Sequence, residues 1–256
     1  LDESGEWTGS KKVSISSTSA GLAFERALDK LQSLEHLSCR TPRVKLLLFT
    51  WLAQSAKTLV SLELTAWLKD QATRSFALAL PNIPTLRQLK VSLADDKTTE
   101  LFLGVGCLPL TALSVTIVLR GQPSHARELN DLLTKLQSRL LSFELSCRGV
   151  HFCREFCERF EHAAPPLLQV LHFDSDIGAT SSVESLCKAM EKMPFLQDIA
   201  MTRMSHSACV APLSDFFAAS FRALRCLKIQ FCNLTSDAAD ALFDALRDNT
   251  RLEKLN

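Results

Sequence analysis

The sequence predicts an α/β solenoid, a stack of units that each contain one short parallel strand and one helix. Three observations lead to this fold class. An apolar pattern of the form Leu-x-x-Leu-x-Leu recurs nine times along the chain. The last four intervals between its first positions are 28 residues each. Amphipathic stretches, with apolar residues three or four positions apart, lie between the patterns.

Each pattern predicts a short strand, because residues two apart in a strand point to the same side. The fourth and sixth positions then face the core, and the first position anchors the preceding turn. The nine patterns are Leu34, Leu37, Cys39; Leu59, Leu62, Leu64; Leu86, Leu89, Val91; Leu110, Leu113, Val115; Leu140, Phe143, Leu145; Leu168, Leu171, Phe173; Leu196, Ile199, Met201; Leu224, Leu227, Ile229; and Leu252, Leu255.

A weaker unit precedes these nine, since Val13 and Ile15 lie 24 residues before Leu37 and Cys39. We therefore expect residues 1–20 to form a lead-in or a partial repeat. Residues 21–256 are expected to form one domain of about nine repeats. The first four intervals of that domain, 25, 27, 24 and 30 residues, are less regular than the later ones.

The stretches between the strands predict helices. Apolar stripes occur at residues 22–31, 129–136, 152–160, 186–193 and 216–221. One strand and one helix cannot bury their own apolar sides, so the units must stack. Neighbouring strands lie about 4.8 Å apart and packed helices about 8–10 Å apart. The stack is therefore expected to curve into a horseshoe, with strands on the concave face and helices on the convex face.

The most regular segment runs from Leu224 through Ile229 and Cys232 to Leu252. It resembles a ribonuclease-inhibitor-type leucine-rich repeat, in which the position of Cys232 holds an Asn or Cys that satisfies backbone groups of the turn. This resemblance implies a leucine-rich-repeat fold, as in sensor arms of NOD-like receptors and in activators of Ran-type GTPases. The earlier repeats, above all those of the N-terminal half, diverge from the pattern. Their residues at the Cys232 position are Pro42, Trp67, Ala94, Val118, Arg148, Asp176 and Met204.

Composition argues against several classes of function. The 29 Lys and Arg residues balance 28 Asp and Glu residues, for a net charge of +1. A surface for nucleic acid or an anionic membrane needs a basic excess, so we expect neither partner. The longest apolar run, residues 46–53, is far shorter than the roughly 20 residues that a membrane-spanning helix requires.

Nine cysteines at irregular spacing predict free thiols and a reducing compartment, either the cytoplasm or the nucleus. The chain begins with Leu1 rather than Met, and its most regular repeat is the last one. These features lead us to expect that the array continues beyond Asn256 and is part of a larger chain or assembly.

One group of residues has side chains suited to zinc, namely His151, Cys153, Cys157 and His162. The two histidines are eleven residues apart and cannot reach the same ion from one straight helix. We therefore predict an ordinary core helix and no metal or cofactor. The two glycines Gly104 and Gly106 are interpreted as part of a turn, not as a phosphate-binding loop.

Three further features, one triplet and two tryptophans, have functional alternatives and are interpreted structurally. Asn233, Leu234 and Thr235 have the form of a glycosylation triplet, but their place in the repeat predicts the turn between strand and helix. Trp51 and Trp67 are predicted to fill the core, the alternative being that they anchor a partner.

The third, fifth and seventh positions of each pattern are predicted to line the concave face. Their side chains are small, polar and mixed in charge, which suits a protein partner. We therefore predict a scaffold or sensor arm without catalytic activity. The predicted partner-binding residues are Glu63, Lys90, Ser114, Glu144, His172, Asp174, Lys228 and Gln230. One alternative is a direct regulator of an enzyme, such as a ribonuclease inhibitor or a small-GTPase activator. Another is a merely solvated sheet, with binding elsewhere.

Overall fold

The computed structural model describes residues 11–15, 31, 33–40, 46–68, 70–93, 98–120, 122–177, 179–204, 209–220, 223–231 and 235–255. Its contacts divide the chain into two compact units, Leu1–Val118 (unit 1) and Leu119–Asn256 (unit 2). Both units repeat the same motif, a parallel strand followed by a helix, as the sequence predicts.

Unit 1 contains strands β1 to β5 and helices α1 to α3. The strands are Lys12–Ile15 (β1), His36–Cys39 (β2), Ser61–Leu68 (β3), Gln88–Leu93 (β4) and Ala112–Arg120 (β5), the last of which crosses the boundary between the units. The helices are Leu46–Gln54 (α1), Asp70–Ala79 (α2) and Thr98–Gly106 (α3), and a short 3₁₀ turn, Leu80–Asn82, follows α2. Consecutive strands pair in parallel from β1 to β5.

Unit 2 contains helices α4 to α8 and strands β6 to β10. The helices are Pro123–Leu136 (α4), Val150–Ala163 (α5), Thr180–Glu191 (α6), Val210–Ser220 (α7) and Ser236–Leu246 (α8). The strands are Ser142–Arg148 (β6), Val170–Ile177 (β7), Asp198–Met204 (β8), Cys226–Phe231 (β9) and Lys254–Leu255 (β10). Consecutive strands again pair in parallel, and consecutive helices pack side by side.

The register of the strands matches the repeat of the sequence. Phe143, Leu171 and Ile199 are in-register neighbours in unit 2, and Val13 is the neighbour of Leu37 in unit 1. The latter pairing shows that a further strand, β1, precedes the nine patterns. The first position of each pattern from residue 34 to residue 224 is at most 1% exposed, so these leucines form a continuous row at the base of each sheet.

Aromatic rings fill the centre of unit 2. Phe156 of α5 lies with its ring centre 5.0 Å from that of Phe160 and 5.6 Å from that of Phe173 in β7. Phe143 of β6 also stacks on Phe156, with 6.2 Å between the ring centres. Because these rings come from one helix and two strands, they fix α5 against the sheet. The helix predicted from the Phe152, Phe156 and Phe160 stripe is confirmed.

Gly104 and Gly106 lie in α3, so their interpretation as a turn is wrong. A Cβ atom on Gly104 would lie 2.6 Å from the carbonyl oxygen of Ala77 in α2. The glycine therefore permits the two helices to approach each other closely, which a sequence scan for turn residues does not reveal.

The structure also bears on the predictions for Trp51, for the triplet that ends at Thr235 and for a membrane span. Trp51 is 4% exposed and belongs to the core, as predicted. Thr235 caps the N-terminus of α8 by accepting a hydrogen bond from the amide of Ala238, whereas Asn233 and Leu234 of the same triplet lie outside the described residues. Cys232, most of the predicted helix at 22–31 and the side chain of Trp67 lie outside the described residues. Among the residues that the structure describes, no helix is long and apolar enough to cross a membrane.

Candidate partner-binding surface

The open face of each sheet is the side that does not pack against helices. In unit 1 it carries the neighbouring row Ser38, Glu63, Lys90 and Ser114. In unit 2 it carries two neighbouring rows, Glu144, His172, Ala200 and Lys228, and Ser146, Asp174 and Thr202. These side chains are half-buried or exposed, whereas the alternating residues are buried, so the predicted alternation of the strands is present.

A shallow groove of about 480 Å³ lies on the open face of unit 2. It is lined by Glu144, His172, Phe173, Asp174, Asp198, Ala200, Thr202, Cys226, Lys228 and Gln230. Ala200 is the small residue between His172 and Lys228 in its row, which leaves space between those two longer side chains. Five of the eight predicted partner-binding residues line this groove. The other three, Glu63, Lys90 and Ser114, lie together on the open face of unit 1.

Asp174 is the centre of a hydrogen-bond network in the groove. Its Oδ2 accepts a hydrogen bond of 2.9 Å from Ser146, and its Oδ1 accepts one from Thr202. The Nε of Arg203 lies 2.7 Å from the same Oδ1. Burial by itself raises the pKa of Asp174, but the two hydroxyl donors and the charge of Arg203 outweigh burial and lower it. The carboxylate is therefore charged, and each of its oxygens has a partner within the protein.

Arg203 also ties the backbone of three strands together. Its guanidinium donates to the carbonyl oxygens of Cys147 at 3.0 Å and of Asp174. The residue has a positive φ of 62°, a backbone conformation that costs energy for a side chain of this size. These contacts to β6 and β7 hold it there. Arg203 could not be recognised from the sequence, because nothing in the repeat pattern marks an arginine with positive φ near the end of β8.

A second polar contact crosses the middle of the groove. The Nε2 of His172 lies 3.3 Å from Oδ1 of Asp198, and both side chains are about one third exposed. Cys226 is the in-register neighbour of Asp198. Burial and the nearby carboxylate of Asp198 raise the pKa of the Cys226 thiol, so the thiol is protonated at neutral pH.

The β9 side of the groove differs from its centre. Lys228 and Gln230 are exposed, and the structure gives neither of them a hydrogen bond or ion pair with another described residue. Lys254 of β10 is also exposed and is the in-register neighbour of Cys226. This part of the groove therefore presents cationic groups whose hydrogen-bonding capacity is not used by the described residues.

In unit 1, Glu63 has hydrogen-bond partners similar to those of Asp174, although Glu63 is the fifth residue of its pattern and Asp174 the seventh. Its Oε2 accepts hydrogen bonds from Ser38 at 2.6 Å and from Arg40 at 3.3 Å. Burial raises the pKa of Glu63, but these donors and the charge of Lys90 lower it by more. Glu63 is thus a charged side chain that its neighbours hold in place.

The four candidate zinc ligands do not come together. Cys153 and Cys157 are buried beside the phenylalanine stripe of α5, whereas His151 and His162 are exposed on the same helix. Among the described residues, no group of three or more His, Cys, Asp or Glu side chains is arranged to hold a metal ion.

Solved structures with a similar fold exist. No protein-family model and no curated protein sequence matches the chain. It superimposes on a chain from the crystal structure of the yeast Rad7 and Elc1 complex with a TM-score of 0.64 and 15% identity. That match covers 96% of this chain and 63% of the yeast chain. The fold is a leucine-rich-repeat solenoid.

Two further similar structures have lower scores. Human 5T4, a trophoblast glycoprotein, matches with a TM-score of 0.48 and 16% identity, covering 86% of this chain and 78% of 5T4. A protein from Bacteroides fragilis matches with a TM-score of 0.45 and 13% identity, covering 96% of this chain and 65% of the other.

Proposed function

We propose that this chain is a protein–protein interaction module that binds a partner protein on the open face of its strands. The observation that carries the proposal is the groove of about 480 Å³ in unit 2, which five of the eight residues predicted from the sequence help to line. Its walls come from four consecutive strands, so its shape depends on backbone that the parallel pairing holds rigid. Rigid surfaces lose less entropy when a partner binds.

The chemistry of the groove favours a protein over a polyanion. The groove combines the carboxylates of Glu144, Asp174 and Asp198 with the cationic groups of Lys228 and of Arg203, which lies beside Asp174. A continuous row of phosphates would meet repulsion at each carboxylate, whereas a polypeptide can present both charges and hydrogen-bonding groups.

The repeat subtype belongs to the same proposal. We assign the chain to the ribonuclease-inhibitor-like type on the basis of the 28-residue spacing from Leu140 onwards and of helices of 11 to 14 residues in unit 2. A repeat of this length has room for a full α-helix after each strand, which shorter leucine-rich repeats lack.

A quantitative pull-down with three forms of the chain tests the proposed surface. The first is the natural chain. The second carries His172→Ala and Lys228→Glu on the open face. The third is a matched control with the same kinds of change, His162→Ala and Lys135→Glu, at exposed positions of α5 and α4. We expect partners retained by the natural chain to be retained by the control and lost from the open-face variant.

The opposite pattern would contradict the proposal. If bound proteins are lost from the helix-side variant and kept by the open-face variant, binding takes place on the helices. Circular dichroism and thermal unfolding of all three forms check that each is folded before the captured proteins are compared.

A further inference from the structure

The hydrogen-bond inventory of the groove separates side chains that are already occupied from those available to a partner. Both carboxylate oxygens of Asp174 have partners within unit 2, namely Ser146, Thr202 and Arg203. Asp198 faces His172 at 3.3 Å. A partner that bound these acidic groups would have to replace contacts that exist without it, which reduces what the new contacts can contribute.

The side chains of Lys228 in β9 and Lys254 in β10 have no hydrogen bond or ion pair with another described residue. Lys254 of β10 is the in-register neighbour of Cys226 in β9. Lys228 lies on β9 two residues after Cys226, so the two lysines are one strand and two residues apart. Strand spacing and rise then place their Cα atoms about 8 Å apart. Both side chains point to the open face, because Lys254 shares the row of Cys226 and Lys228 the row of Ala200. Their ammonium groups can therefore reach one short segment of a partner.

We propose that Lys228 and Lys254, with the amide of Gln230 beside them, bind carboxylate side chains of an acidic peptide segment of the partner. The inference rests on the proposed function and adds the chemistry of the partner. A lysine ammonium has three hydrogen-bond donors and no acceptor, and the amide of glutamine adds further donors. Anionic acceptors therefore complement the surface formed by Lys228, Gln230 and Lys254.

An acidic peptide fits the surface of Lys228, Gln230 and Lys254 better than a nucleic acid or an anionic lipid surface does. Asp198 lies in the same row as Lys254, two strands away, and Glu144 lies in the row of Lys228, three strands away. A peptide can direct its carboxylates at the lysines and place neutral residues opposite the acidic side of the groove. Evenly spaced phosphates have no such choice.

A titration followed by nuclear magnetic resonance tests the inference on the full chain. The probe is a capped decapeptide of alternating Glu and Ser, and the comparison probe alternates Lys and Ser. We expect the acidic peptide alone to bind, with amide shifts concentrated at Lys228, Gln230 and Lys254. Affinity should fall several-fold between about 50 and 200 mM salt, since exposed charges are screened.

Two pairs of substitutions locate the binding. Lys228→Glu with Lys254→Glu should weaken the acidic peptide by at least about fivefold, because two favourable ion pairs become repulsive. The matched pair Lys135→Glu with Lys188→Glu, exposed on α4 and α6, should leave it unchanged. Should the first pair disturb the fold, Lys228→Gln with Lys254→Gln removes the charges without adding new ones and should weaken binding in the same direction.

Equal binding of the acidic and basic peptides, or equal loss in both pairs of variants, overturns the inference. So does tighter binding of a ten-residue oligothymidine or of phosphatidylserine vesicles at the same lysines. The two proposals fail separately. If the open-face variant loses its captured partners while the acidic peptide does not bind, only the acidic chemistry is wrong.

Discussion

Single residues decide how charge is held on the open face. Asp174 and Glu63 stand in different units, yet each is a carboxylate that hydroxyl groups and an arginine hold in the charged form. The hydroxyls come from adjacent strands in register with the acid, at Ser38 for Glu63 and at Ser146 and Thr202 for Asp174. The parallel register therefore places the hydroxyl groups of one repeat where they can donate hydrogen bonds to the carboxylate of the neighbouring repeat.

The substitution Asp174→Asn should lower the free energy of unfolding at pH 7 by about 1 kcal/mol, since the charge-assisted contacts are lost at a partly exposed site. The pKa of Asp174 is depressed in the folded chain. Its contribution is therefore complete above the unfolded pKa of about 3.9 and disappears as the pH falls through the depressed value. Urea unfolding at several pH values should show the difference between natural and variant chains shrinking towards low pH.

The exposed Asp131 of α4 provides the control for this measurement. Asp131→Asn should change the free energy of unfolding by no more than about 0.5 kcal/mol. A difference between the natural chain and Asp174→Asn that stays constant from pH 7 to low pH would show that the charge of Asp174 does not contribute to stability.

The thiols should fall into two classes. Cys147, Cys153 and Cys157 are at most 1% exposed. Cys107 is exposed and Cys226 half-buried. Burial raises the pKa of Cys157, and burial with nearby carboxylates raises that of Cys187 to about 12. Because a reagent must reach the sulfur, we expect the more exposed Cys107 and Cys226 to react first among the described cysteines.

Thiol titration of chain isolated from the cytoplasm measures both classes. Native chain should show a small fast phase, and denatured, unreduced chain should approach nine reactive groups. A denatured count near one would indicate disulfide bonds and would contradict the expected reducing compartment.

At the scale of elements, strands were more predictable than helices. Each strand except β1 begins two residues after the first leucine of its pattern, since the pattern specifies which side chains enter the core. The helices of unit 1 are harder to recognise from the sequence. Leu46–Gln54 is nearly all apolar, so no apolar stripe stands out against a polar face. Asp70–Ala79 has one buried face, but small residues (Thr73, Ala77 and Ala79) form most of it, and their apolar signal is weak.

The same distinction holds for the candidate site. Alternation along the strands placed Glu144, His172, Asp174, Lys228 and Gln230 on one face, and all five line the groove. It could not indicate Arg203, whose role depends on a backbone conformation outside the strand pattern. Nor could it indicate which acidic groups are occupied, because that depends on side-chain contacts between repeats.

Gly104→Ala should destabilise unit 1 by about 1–3 kcal/mol. The new Cβ atom would meet backbone, the carbonyl oxygen of Ala77 at 2.6 Å, so α2 and α3 would have to move apart. The higher helix propensity of alanine offsets at most about 1 kcal/mol. Thermal or urea unfolding measures the loss. Leu103→Ala, at a neighbouring position that is 58% exposed, is the control and should have a much smaller effect. Equal effects of the two changes would mean that the helix contact at Gly104 is not tight.

At the scale of the whole molecule, we expect each of the two units to unfold cooperatively. Repeat arrays are stabilised by contacts between neighbouring units, so a local change should propagate to adjacent repeats and weaken with distance along the chain. The contacts of the chain group into these two units, with the division at Val118 and Leu119. Local opening is therefore expected to follow this division.

Phe156→Leu tests this expectation by weakening the aromatic centre of unit 2. The ring of Phe156 lies 5.0 to 6.2 Å from the rings of Phe143, Phe152, Phe160 and Phe173. Replacing it by a smaller side chain should cost about 1–1.5 kcal/mol, too little to unfold the chain. Hydrogen exchange measured by mass spectrometry should accelerate in β6, β7 and the flanking helices α4 and α6, while β2, β3 and β4 of unit 1 keep their protection.

The control Phe243→Leu changes a ring that is 57% exposed on α8, and it should leave exchange in both units nearly unchanged. A uniform acceleration across β2 to β9 in Phe156→Leu would mean that the chain opens as one cooperative block. Exchange confined to the immediate neighbours of Phe156 would place the limit of cooperativity at the single repeat. Acceleration confined to unit 2 is the result that we expect from the division into two units, because contacts between repeats transmit the loss of packing to neighbouring repeats.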